Sequence, residues 1–131
     1  MNKEVKRAWV EALRSGKYKQ ATGRLRRVDG YCCLGVLCNL YKESHQDCNW
    51  SDDLYEGSHQ DCNWSEESDC FCFVIHEENT DPAMDFLPEK VVEWAGLDSS
   101  DPQYDGDETL VGLNDRGATF DEIADVIEEN L

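Results

Sequence analysis

Histidine and cysteine recur at metal-ligand spacing in the middle of the chain. His45 and Cys48 form a His-x2-Cys pair, His59 and Cys62 repeat it, and Cys70-x-Cys72 with His76 follows. Thiolate and imidazole are the donors of closed tetrahedral zinc sites, so these side chains define a zinc candidate. No Cys-x2-Cys knuckle accompanies them, and the second pair belongs to a copied segment. The leading expectation is therefore no cofactor, with zinc the alternative. Oxygen side chains also alternate in both copies: Asp47, Asn49, Ser51, Asp53 and then Asp61, Asn63, Ser65, Glu67. That is how a calcium-binding EF-hand loop opens. Here Asp52 and Glu66 stand where its turn glycine belongs, and Ser58 and Cys72 where its bidentate glutamate belongs. Weak, unspecific cation attraction fits better.

Other chemistry is thinner. A reactive thiol needs an electropositive setting, and most of the cysteines lie in acidic sequence. Cys32 and Cys33 follow a basic stretch, but their apolar surroundings predict inert core residues. No phosphate-binding loop, dinucleotide fingerprint or nucleophile elbow is present. These absences point away from an enzyme. Arg24, Arg26 and Arg27 form a cluster suited to a phosphate-bearing ligand through bidentate guanidinium contacts, or to pairing with the acidic remainder of the chain. Trp50 and Trp64 sit among acids and are candidate anchors for a partner, or for each other across a hairpin.

The elements that must position these groups follow from periodicity. Val5, Ala8, Trp9, Ala12 and Leu13 mark a first helix stopped by Ser15-Gly16. Lys17–Val28 reads as a strand or extended arm turned by Asp29-Gly30. The apolar run Tyr31–Tyr41, YCCLGVLCNLY, fits a helix through Cys33, Val36, Leu37, Leu40 and Tyr41, with a buried strand as the alternative. SHQDCNWS then occurs at 44–51 and again at 58–65, which predicts a surface insert over 44–69 as a loop or hairpin. Residues 70–76 alternate as a strand. A helix over 87–96 has Pro88 in its first turn and Gly96 as its stop. Asp98–Glu108 reads as an acidic loop and Leu110–Leu113 as a short apolar segment. Thr119 and Glu122 form a capping box that opens the last helix. That helix ends on Glu128 and Glu129, at the pole where cations belong. A basic neighbour, such as the Arg24–Arg27 arm, or a partner would relieve the pair.

Charge divides the chain. Residues 1–29 hold nine Lys and Arg against three acids, while residues 30–131 hold three against 26, for a net −17 over 131 residues. Such a charge opposes direct binding to nucleic acid or an anionic membrane, and a carboxylate surface suits a basic partner. The N-terminal segment lacks the apolar core of a signal peptide, which predicts an intracellular protein with reduced thiols.

Four segments carry a resemblance: WVEALRSGKYKQ at 9–20, GRLRRVDGYCCLGVLCNLY at 23–41, LPEKVVEWAGL at 87–97 and LNDRGATFDEIADVIEENL at 113–131. Together they resemble small hypothetical proteins of tailed bacteriophages and prophages. The duplicated octapeptide is outside that pattern. The resemblance implies a viral accessory protein acting in the cytoplasm of an infected bacterium, and it carries no site residues with it. The combined expectation is one α+β domain over 1–131, with three or four helices packed on a small antiparallel sheet and an acidic inserted repeat. Its expected role is non-enzymatic: binding a host protein with a basic surface, as a host-takeover or counter-defence inhibitor that could imitate DNA. The alternatives are a binder of a small phosphorylated signal on the Arg arm and a zinc-stabilised interaction module.

Overall fold

Asn2 begins the first helix by chemistry the periodicity does not reveal. Its side-chain oxygen accepts from the Glu4 and Val5 amides at 2.9 and 3.2 Å, satisfying two of the helix's orphan donors. In the computed structural model, which describes residues 1–45, 48–51, 70–75, 83 and 85–131, this helix is α1 (Lys3–Arg14). It buries Val5, Trp9, Val10 and Leu13.

After α1 the chain folds back on itself. Residue 20 bridges Tyr31 in parallel, and a two-residue turn at Val28-Asp29 joins β1 (Arg26–Arg27) to β2 (Gly30–Tyr31). The turn thus falls one residue before the expected Asp29-Gly30. Gly30 is needed inside the strand, because a Cβ there would stand 2.5 Å from the Lys19 carbonyl oxygen.

The run from Tyr31 resolves as a helix, α2 (Cys33–Ser44). Residues 33–38 are all buried, so its periodicity is blurred, as expected of a helix enclosed on every side. It lies directly on the arm before it. Cys32 donates its amide to Leu25 at 3.0 Å, and a Cβ on Gly35 would fall 1.8 Å from the Leu25 oxygen. Only glycine permits that approach.

The sheet follows. β3 (Cys48–Ser51) and β4 (Cys70–Ile75) pair antiparallel with Trp50 opposite Phe73, and β4 also pairs β1 with Phe71 opposite Arg26. The strand order is β2-β1-β4-β3. The first copy of the octapeptide therefore supplies a strand. Cys48 and Trp50 are buried, which corrects the reading of 44–51 as surface. Hydrophobic burial decides the matter, since a fully enclosed Phe73 contributes about 3 kcal/mol and Trp50 packs against it. The rest of the expected insert, 46–47 and 52–69, lies outside the described residues.

α3 (Glu89–Ala95) runs from Pro88 to Gly96, whose left-handed φ of 72° closes it. The acidic loop contains a small hairpin, β5 (Gln103–Asp105) with β6 (Glu108–Thr109). Leu110–Leu113 is helical, within α4 (Leu110–Asp115), because Thr109 caps it through the Gly112 amide at 3.0 Å. α5 (Phe120–Asn130) opens with the expected capping box, Thr119 and Glu122 bonding reciprocally at 3.2 and 2.9 Å. The fold is α+β, with five helices among the described residues instead of three or four; the additional one is α4. None of the described helices is long and apolar enough to cross a membrane.

Candidate interaction surfaces

The three arginines do not converge. Arg24 donates to Asp85 at 2.8 Å and to the Gly23 carbonyl at 3.1 Å, with its side chain 18% exposed. Arg26 lies over the Tyr31 and Trp50 rings, at 4.9 and 5.5 Å from their centroids. Arg27 donates to the Thr22 carbonyl at 2.7 Å. Consecutive strand residues point to opposite faces, so Arg26 and Arg27 cannot grip one ligand. The cleft beside Arg24, about 210 Å³, is also lined by Asp85, Asp115, Cys32 and Phe86. Two carboxylates against one guanidinium repel a phosphate there.

The metal candidates divide between described and undescribed residues. His45 stacks on Tyr41 with centroids 3.8 Å apart, and its Nδ1 lies 2.9 Å from the Tyr41 carbonyl. The Cys48 thiol lies 3.8 Å from the His45 carbonyl. At most, this pair supplies two of the four donors a closed zinc site needs. Cys70 and Cys72 stand on β4 opposite Arg27 and Ser51. His59, Cys62 and His76 lie outside the described residues, as do Asp47, Asp53, Asp61, Asn63, Ser65 and Glu67 of the calcium reading. Among the described residues, no group of three His, Cys, Asp or Glu side chains is placed to hold a metal.

Trp50 turns inward at 9% exposure, which corrects its reading as a partner anchor; Trp64 is outside the described residues. The indole N–H of Trp50 donates to Asn39 Oδ1 at 3.0 Å, and Asn39 Nδ2 donates to the Tyr18 hydroxyl at 2.9 Å. A second amide, Asn114, is fully buried. It accepts from Gln20 Nε2 at 2.9 Å and from the Cys33 amide at 3.3 Å, and donates to the Ala21 carbonyl at 2.8 Å. Neither hub belongs to a recognisable sequence motif. Their signal was a lone Asn within or ending an apolar run, in VLCNLY and LVGLN.

The thiols nearest the basic stretch are inert. Burial pushes Cys32 up to about 11 and raises Cys33 and Cys38 well above the ordinary thiol range. At neutral pH a group at 11 is ionised in roughly one molecule in ten thousand.

Charge, in contrast, is organised. Arg14 of α1 reaches the last turns of α5, binding Glu128 through both guanidinium nitrogens at 3.3 and 3.4 Å and also Asp125. Glu128 and then Asp125 raise the Arg14 pKa. The basic neighbour at Glu128 is thus Arg14, not the Arg24–Arg27 arm. Beyond Asp85 the chain carries 14 carboxylates against Lys90 and Arg116, counting Asp85 itself. All but Asp101 are exposed; that half-buried group is raised by desolvation. They lie on α3, the β5–β6 hairpin, α4, α5 and the adjoining loops.

No curated protein and no solved structure matches the chain. The model of a family described as a domain of unknown function (DUF8296) matches residues 1–131, and the chain belongs to that family.

Proposed function

We propose that this protein is a non-enzymatic accessory factor of a tailed bacteriophage or prophage. It acts in the cytoplasm of the infected bacterium, where its carboxylate face docks on a basic surface of a host protein and inhibits it. The observation that carries this reading is the acid-rich stretch 85–131, with 13 exposed carboxylates against Lys90 and Arg116 within it and Arg14 and Arg24 paired to it from the N-terminal segment. Such a field steers a basic partner at long range and suppresses encounters with polyanions. It also lets the face imitate a nucleic-acid backbone. Cys32, Cys33 and Cys38 are consistent with a binding role, because burial removes these three as nucleophiles.

The test is affinity capture from bacterial lysate, with a variant neutralised at Asp105, Asp107, Asp121 and Glu122. A basic host protein should be retained at about 50 mM salt and released at about 500 mM, where charges are screened within a few ångströms. The neutralised variant should lose it. Native mass spectrometry of the purified protein supplies the opposing outcome. A stoichiometric nucleotide or zinc mass, with no salt-sensitive protein captured, would overturn the reading.

A further inference from the structure

The acidic bulk of the molecule makes one basic site anomalous. α1 and the end of α5 enclose an open cleft of about 710 Å³, lined by Lys3, Lys6, Arg7, Val10, Arg14 and, on the acidic side, Glu11 and Glu128. Four cations face two carboxylates there, in a chain whose acids outnumber its bases 29 to 12. Glu128 is already bound by Arg14. Among the described residues, Lys3, Lys6 and Arg7 make no ion pair. With so many carboxylates elsewhere, pairing would be simple to arrange. These cations are instead held together on one helix face, in two rows at i, i+4 spacing: Lys3-Arg7-Glu11 and Lys6-Val10-Arg14.

We propose that this cleft is a second binding site, opposite in sign to the acidic face, and that its occupant is a carboxylate-rich peptide segment of another protein. The dimensions fit. From Lys3 to Arg14 the helix rises roughly 17 Å, the length of about five extended residues. The chemistry fits as well. Lys ammonium groups accept carboxylates in many geometries, and the aliphatic stems beside Val10 give an apolar floor to the segment. A long nucleic acid is disfavoured because its many phosphates would meet the −17 field of the whole protein, whereas a short peptide brings few charges. The protein then carries two docking faces of opposite sign, and one partner with both signs or two separate partners can be held.

The experiment is a fluorescence-anisotropy titration of the full chain against a fluorescein-labelled hexaglutamate peptide. Hexaglutamine and a twelve-nucleotide single-stranded DNA are the comparison probes. Saturable binding of hexaglutamate is expected, at least about tenfold weaker when salt rises from about 25 to about 250 mM. The variant Lys3→Gln/Lys6→Gln/Arg7→Gln should lose it. Lys17→Gln/Lys19→Gln/Lys42→Gln, which changes the net charge equally but away from the cleft, should keep it. Circular dichroism of both variants checks that each is folded. Absence of saturable hexaglutamate binding overturns the proposal. So does an equal loss in the two triple variants, which would mean a bulk charge effect. Tighter binding of the DNA through the same three residues would overturn the assignment of an acidic peptide.

Discussion

Gly35 shows how far a single residue constrains this molecule. A methyl group there would overlap the Leu25 carbonyl, which is backbone and cannot move without disturbing the hydrogen bond it accepts from the Cys32 amide. Gly35→Ala should destabilise the protein by about 1–3 kcal/mol, read as a lower midpoint in urea with an unchanged slope. The buried thiols add a pH dependence. Cys32 is raised from an ordinary value of 9.0 to about 11, so between these values the unfolded chain releases a proton that the folded protein keeps. Stability is therefore intact below pH 9 and falls as pH climbs towards 11. The share from Cys32 is about 3 kcal/mol, and Cys33 and Cys38 act in the same direction. Urea titrations at pH 8, 9 and 10 should show the decline, and Cys32→Ala should make it shallower. The inert, core character of Cys32, Cys33 and Cys38 was legible in the sequence, because cysteine in an apolar run packs as a small hydrophobe. Gly35 was not. Its necessity depends on a backbone three-dimensionally adjacent but ten residues earlier, and no local pattern encodes that contact.

The helices were legible where one face is apolar and the ends carry caps. α5 is the clear case, with its Thr119–Glu122 box and its stripe of Ile123 and Ile127. α4 was missed as a helix because six residues are too few to show a period, and its cap at Thr109 looks like the end of a loop. β3 was misread for a different reason. Four residues of alternating polarity, CNWS, look like any polar loop until Phe73 is opposite Trp50. Since an identical CNWS recurs at 62–65, deleting residues 45–58 restores the same octapeptide starting at Ser44. The shortened chain has every residue that β3 contributes, and a shorter closure to β4 costs no additional chain entropy. It should unfold cooperatively within a few degrees of the parent in a thermal melt. A loss of cooperative unfolding would mean that both copies are needed for the fold.

Charge is the property that only the whole molecule expresses. The split between a basic first segment and an acidic remainder was visible in composition. Its arrangement in space was not, because the choice of which cation meets which carboxylate depends on α1 lying beside α5. Arg14 takes the Glu128 end of α5 and Arg116 takes Glu108, on exposed surface where such pairs are weak, while Arg24, more deeply set, takes Asp85. Alongside these pairs stand 29 acids and a net charge of −17. At low ionic strength the compact state concentrates that charge, and the unfolded chain spreads it. Salt should consequently stabilise this protein: the melting temperature should rise as sodium chloride goes from about 20 mM, where screening extends over some 20 Å, to about 500 mM, where it is reduced to a few ångströms. If salt lowered the melting temperature instead, attraction across the α1–α5 contact and its neighbours would outweigh the repulsion. The acidic face would then be a partner in holding the fold together and not a surface left available for another protein.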